Sequence, residues 1–350
     1  MSQNKLSFSS DYMEGCHPKI LERLMETNLD QTPGYGLDPY SDSARSLIRK
    51  ACGAPDAEIW FLVGGTQVNA VVIDTMLRPW QGVIAPHTGH ISTHEAGAIE
   101  YGGHKVLPLP AEEGKIRASQ IQEYIDDFHN DLNRDHMVMP GMVYISQPTE
   151  YGTLYSLDEL EAISKVCHDR HVRLYLDGAR LAYALACPEN TADLEDLARC
   201  CDAFYIGGTK CGALFGEALV FPRPGIVPGF FSMMKQHGAL LAKGRITGLQ
   251  FETLFKDGLY KEAGETAIRA AARIRQALIH NGYNLCVNSP TNQIFIDLNQ
   301  NQYERLSDLV EMSFWENRIV DDEIHTVVRL AASWATKDED VDQLISLLEG

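Results

Sequence analysis

Short apolar runs alternate with amphipathic ones through the first two-thirds of the chain. Glu58–Val63 reads as a strand and Gln67–Leu77 as a helix, with Gly64-Gly65-Thr66 between them. Val83–Ala85 and Lys105–Leu109 read as short strands, and Ser119–Phe128 carries its apolar residues at helical spacing. Met142–Ser146 is a strand, followed by a helix over Ser156–Arg170 with Ser156 as its N-cap. Arg173–Leu176, Ala203–Ile206 and Ala218–Phe221 complete the set of strands. Strands and helices in alternation predict an α/β fold with a mostly parallel sheet and helices on both faces. Ligands of such sheets gather at the carboxyl ends of the strands.

Beyond Thr253 the pattern changes. A long Ala-rich helical stretch, Lys261–His280, precedes a strand over Gln293–Leu298, a helix over Glu304–Trp315, a strand over Thr326–Leu330 and a helix over Asp338–Leu348. This predicts a large α/β domain over residues 1–253 and a small α+β domain over 254–350. No internal repeat, low-complexity tract or flexible linker interrupts either part.

Composition narrows the class. The 350 residues are 45% hydrophobic and 22% charged, ordinary for a globular protein, and the net charge is −18. That charge excludes a phosphate-neutralising surface, so no nucleic-acid partner is expected, and it disfavours anionic membranes. No apolar run approaches the length of a membrane span. The eight cysteines are scattered without a CxxC pair and read as reduced thiols of a cytoplasmic protein. The opening Met-Ser-Gln-Asn-Lys lacks an apolar core, so no secretory signal is expected.

The chemistry concentrates at two strand ends. Arg173-Leu-Tyr-Leu-Asp177-Gly-Ala-Arg180 delivers a carboxylate, and Tyr205-Ile-Gly-Gly-Thr-Lys210 delivers an amine after a Gly-Gly-Thr turn. An amine that forms a Schiff base, with a carboxylate that keeps a pyridine nitrogen protonated, is what pyridoxal 5'-phosphate requires. An Asp following Leu-Tyr-Leu is largely buried and needs a cationic partner, either that nitrogen or Arg180. Asp177 could also merely cap the helix that begins near Gly178. Gly64-Gly65-Thr66, between a strand and a helix, resembles a phosphate cradle of free backbone N–H groups and a hydroxyl.

His87, His90, His94 and Glu95 form a second cluster. His90 and His94 stand at i, i+4 spacing, but no HExxH and no further ligand completes a zinc site, so no metal is expected. The alternative is a ring stacked on the pyridine, and His90 fits this best, just past the strand Val83–Ala85. Arg329, inside an apolar strand, needs an anionic partner: a substrate carboxylate, or an Asp or Glu between domains. Arg245 is either a phosphate ligand, possible across a subunit interface, or a surface residue.

Together these segments resemble the threonine aldolase family, within the β-eliminating lyase/threonine aldolase superfamily of pyridoxal-phosphate fold type I. The resemblance runs through Ser10-Asp11, Tyr35-Gly-Leu-Asp38, Gly64-Gly-Thr66, His90-Ile with Glu95-Ala-Gly97, Asp177-Gly-Ala-Arg180, Thr209-Lys210, Arg245-Ile-Thr-Gly248 and Val328-Arg329-Leu. It implies Lys210 as the Schiff-base lysine, Asp177 as partner of the pyridine nitrogen and His90 as the stacked ring. It implies Gly65, Thr66 and Arg245 at the phosphate, with Arg245 reaching from a neighbouring subunit. Ser10 and Arg329, with Arg180, would bind the substrate carboxylate. A homotetramer of dimers with shared active sites is also implied.

One segment departs. Many threonine aldolases carry Glu-Asn-Thr-His before the Asp strand. Here the chain reads Ile145-Ser-Gln-Pro-Thr149-Glu-Tyr-Gly-Thr153, with Thr149 expected near the substrate hydroxyl. That variant is similar to a phenylserine-aldolase-like branch. The expected activity is cleavage of an L-β-hydroxy-α-amino acid of threonine, allo-threonine or phenylserine type to glycine and an aldehyde. The rivals are β-elimination or another fold type I reaction, and a non-catalytic protein on the same scaffold.

Overall fold

The computed structural model describes residues 5–349. Its centre is a seven-stranded sheet in the order Glu58–Leu62, Glu217–Phe221, Ala203–Gly207, Arg173–Asp177, Met139–Ser146, Gln81–Pro86, Val106–Leu109. All neighbours pair in parallel except at Glu217–Phe221, which runs against both of its partners. Alternate residues of each strand face opposite sides. Val143, Ile145, Leu174 and Leu176 enter one core, with the helices Ala118–Asn130 and Leu157–Asp169. Tyr144, Tyr175 and Tyr205 enter the other, beneath the helix Gly65–Met76.

Parity therefore decides where Asp177 goes. It ends its strand two residues beyond Tyr175 and so shares the tyrosine face. The expected strands all form, most with one to three extra residues. Ser156 caps its helix as expected, and the structure adds a reciprocal box with Glu159.

Two N-terminal helices went unpredicted, Pro18–Glu26 and Pro39–Ala51. The second packs on Arg245–Lys256 so closely that a Cβ on Gly248 would lie 2.6 Å from the Ser41 Cα. Gly248 is thus a helix-packing residue.

The C-terminal part holds a four-stranded antiparallel sheet ordered Ser313–Val320, Glu323–Ala331, Gln293–Asn299, Asn284–Leu285. The expected helix over Glu304–Trp315 is corrected. The helix is Gln300–Ser307, started by Asn299, and Ser313–Val320 is a strand. Asp321 and Asp322, at φ of 50° and 65°, turn that strand back as a hairpin. Trp315 packs edge-on against Phe295 of the next strand but one. Leu6–Ser7 pairs with Val310–Glu311, and Phe8 joins the C-terminal core. The helix Leu259–His280 runs from the large core (Leu259, Tyr260) into the small one (Ile274, Leu278).

Candidate active site

A pocket of about 230 Å³ opens at the carboxyl ends of the parallel strands, lined by His90, Glu150, Asp177, Arg180 and Lys210, with Gly64-Gly65-Thr66 at one wall. Asp177 ends its strand and the others come from the segments that follow strands, where the sheet stops supplying backbone partners and side chains are free to meet.

Asp177 is buried and accepts four hydrogen bonds: from Tyr205 Oη, Tyr144 Oη (2.7 Å), Asn69 Nδ2 (3.2 Å) and the Ala179 N–H (3.0 Å). Among the described residues none of its partners is cationic. Burial and the neighbouring Asp177 charge push both tyrosines well above their usual range, so they stay protonated donors. Asn69 also donates to Glu95 at 2.7 Å, and Glu95 holds His90 Nδ1 at 2.7 Å. A continuous buried chain thus fixes Asp177 and the His90 ring relative to each other. Tyr144, Tyr205 and Asn69 were missed by the sequence reading. The i, i+2 parity from Asp177 to Tyr175 was the available signal.

Lys210 follows the turn that Glu217 ties down, through the Gly208 N–H (2.9 Å) and Thr209 Oγ1 (2.7 Å). Burial first, and then the Arg180 charge, lower the pKa of its amine. Burial raises Glu217 to about 7.

Arg180 does not pair with Asp177. It makes a two-point ion pair with Asp11, whose second oxygen lies 3.1 Å from Nη2. Asn292 Nδ2 also donates to Asp11, at 2.8 Å. Burial works against the Asp11 charge, but Arg180, Lys210 and Arg329 outweigh it and hold the carboxyl at about 2. Arg329 donates to Gln293 Oε1 (3.0 Å) and the Ser9 carbonyl (3.2 Å), while its Nε is buried without a partner. Among the described residues no carboxylate pairs with it. The nearby Ser10 hydroxyl is likewise buried and unpartnered.

Gly64, Gly65 and Thr66 open the helix Gly65–Met76 at the pocket wall. A Cβ on Gly65 would stand 2.8 Å from the Tyr205 hydroxyl, so only glycine lets this turn approach Asp177's shell. Arg245 lies elsewhere in its own chain, donating to the Thr27 hydroxyl (2.9 Å) and the Asp30 carbonyl (2.9 Å).

Thr149 requires a correction. Its hydroxyl bonds Thr153 Oγ1 at 2.7 Å and packs towards Gly114, so it does not line the pocket. The next residue, Glu150, lines it instead. His87 accepts from the Ala111 N–H, and among the described residues no His, Cys, Asp and Glu group could hold a metal ion.

The donor set fits pyridoxal phosphate: a buried carboxylate with no cation, an amine of lowered pKa across the pocket, and a glycine-lined helix start of free N–H groups. Fold and site together define a protein on the fold type I pyridoxal-phosphate scaffold. The same fold recurs in aspartate aminotransferase from Thermus thermophilus, with a TM-score of 0.71 at 15% identity over 99% of this chain and 91% of that one.

More particularly, the chain belongs to the beta-eliminating lyase family, whose profile matches residues 7–304. It is a lyase. It is similar to a Leishmania major threonine aldolase structure, with a TM-score of 0.94, 42% identity and 98% of each chain covered. It is also 30% identical to a low specificity L-threonine aldolase of Pseudomonas aeruginosa, over 87% of this chain and 88% of that protein.

Proposed function

We propose that this protein is a pyridoxal-phosphate-dependent aldolase that cleaves L-β-hydroxy-α-amino acids to glycine and an aldehyde. The observation that carries the reading is one pocket shared by a buried carboxylate without a cation, Asp177, and an amine of lowered pKa, Lys210. The similarity to threonine aldolases supports the same choice of bond.

Pyridoxal phosphate, when bound there, supplies a ring that accepts the electron pair released at Cα. The chain's own residues do the rest. Lys210 would hold the cofactor through its amine and would serve as a base or acid at Cα. Asp177, oriented by Tyr144 and Tyr205, keeps the ring nitrogen protonated. His90, its Nδ1 held by Glu95, covers the ring face. Gly65 and Thr66 bind the phosphate, joined by Arg245 from a second copy of the chain.

Arg180, braced by Asp11, lines the pocket and would meet the substrate carboxylate; Arg329 and Ser10 lie outside that lining, and their unsatisfied buried polar atoms support a place for them at the same carboxylate. Beside His90 begins an aromatic series: His94 lies 6.2 Å from Trp315, which lies 5.4 Å from Tyr151. None of the three lines the pocket, where Tyr12 is the added aromatic ring, so a phenylserine-type β-substituent rests on Tyr12 and on the departing segment 145–153.

Replacing Lys210 with Ala tests the assignment. Glycine release should fall by roughly 1000-fold or more, and the protein should lose the absorbance band of lysine-bound cofactor. Full turnover by the variant would contradict it.

A further inference from the structure

We propose that Glu150 is the group that takes the proton from the substrate β-hydroxyl. The inference rests on the aldolase reading and names a catalytic residue within that site.

The geometry singles Glu150 out. Its Oε1 is already occupied, accepting from the His90 backbone N–H at 2.9 Å and from Ser146 Oγ at 2.8 Å. Its Oε2 is buried and has no partner, although the residue lines the pocket. One oxygen anchors the carboxyl and the other is left to a ligand. A buried carboxylate oxygen without a donor is costly, so a donor that arrives with the substrate is what the arrangement fits.

The substrate offers three polar groups. Its carboxylate is repelled by Glu150 and is matched by Arg329 and Arg180. Its amine is consumed at the cofactor. Only the β-hydroxyl remains as a neutral donor. Because Glu150 is held by the His90 backbone, it stands on the side of the pocket that His90 covers.

Glu95 holds His90 Nδ1 and so fixes the ring, leaving Nε2 as the nitrogen that faces outward. Glu150 Oε2, unlike it, is a buried oxygen with no partner. Burial, with the Asp177 charge, raises the Glu150 pKa, which makes its carboxylate a stronger base than an exposed glutamate.

The step balances without an oxidant or reductant. The β O–H bond breaks and its proton goes to Glu150. The O–H electron pair becomes the second bond of the aldehyde carbonyl. The Cα–Cβ bond breaks, its electron pair ends in a new Cα–H bond with one added proton, and Glu150 gives its proton back to solvent, so no proton is gained or lost overall. One amino acid thus yields one glycine and one aldehyde.

The test compares two reactions of one cofactor-loaded protein. Cleavage of L-phenylserine needs a base at the β-hydroxyl. Exchange of the glycine α-proton in D2O, followed by NMR, needs Lys210 but no base at a β-hydroxyl. Glu150→Gln should cut cleavage by about 100-fold or more, leave exchange within about threefold, and keep the cofactor absorbance. If Glu150→Gln does not hold cofactor, Glu150→Asp carries the same expectation. Cleavage retained within a few-fold would overturn the proposal, and so would equal loss of both reactions, which marks a purely structural role. A wild-type protein that exchanges glycine but releases no aldehyde would bring down the aldolase reading, and the role of Glu150 with it.

Discussion

Asp11 shows how a single buried charge ties the N-terminal segment to the site. Its pKa falls from 3.8 to about 2 on folding, against the opposing effect of burial. A carboxyl depressed in the folded state stabilises the fold above its unfolded pKa and loses that contribution as pH falls through the folded one. The relevant window is therefore about pH 4 down to 2, worth about 2 kcal/mol. Asp11→Asn also strands Arg180, so it should cost on the order of 3 kcal/mol at pH 7. Urea unfolding across pH should show the gap between wild type and variant closing below about pH 4. A gap that stays constant would contradict the ion-pair account. At this scale the meeting of Lys210, Asp177 and Gly65 at one pocket was legible, because strand-end chemistry restricts residue type. Arg180's true partner was not, since Asp11 lies far away in sequence. Glu150 was missed by one position, because only the turn's conformation decides which of Thr149 and Glu150 faces inward.

Among the elements, the helix Leu157–Asp169 was the most readable. Ser156 and Glu159 close its first turn reciprocally, and Lys115 reaches Glu159 at 2.7 Å. Ser156→Ala should cost about 1 kcal/mol, seen as a lower urea midpoint with unchanged turnover. An unaltered midpoint would show that the cap contributes nothing. The helix Pro39–Ala51 carried an equally plain signal, with Asp38 accepting from the Ser41 N–H and Pro39 in its first turn. It escaped the reading because its apolar face is narrow, only Ala44 and Ile48 among its apolar residues being buried. The first three residues of the strand Ser313–Val320 were read as helix and the rest as no element, because most of the strand is exposed and burial does not mark its alternation.

For the molecule as a whole, the central question is whether one chain makes a complete site. Arg245 sits on the N-terminal side of its own chain, beside exposed apolar residues: Met25 (80% exposed), Leu29 (89%) and Leu37 (57%). Three large apolar side chains left exposed on this segment are the candidates for burial against a second copy. Sedimentation equilibrium should give at least a dimer, and Leu29→Glu should shift it towards monomer with weaker cofactor binding. A monomer that binds cofactor fully would contradict shared sites. The α/β layering was legible throughout, because alternating strands and helices leave few topologies. The joining of Leu6–Ser7 to the C-terminal part was not, because two residues carry too little pattern.

The most direct measurement is the identity of the products. Cofactor-loaded protein is given L-phenylserine, L-threonine and L-allo-threonine, with Lys210→Ala as control. The account predicts glycine and the matching aldehyde in equal amounts, dependent on Lys210 and fastest with phenylserine. Release of ammonia and an α-keto acid instead would contradict it and assign the site to β-elimination.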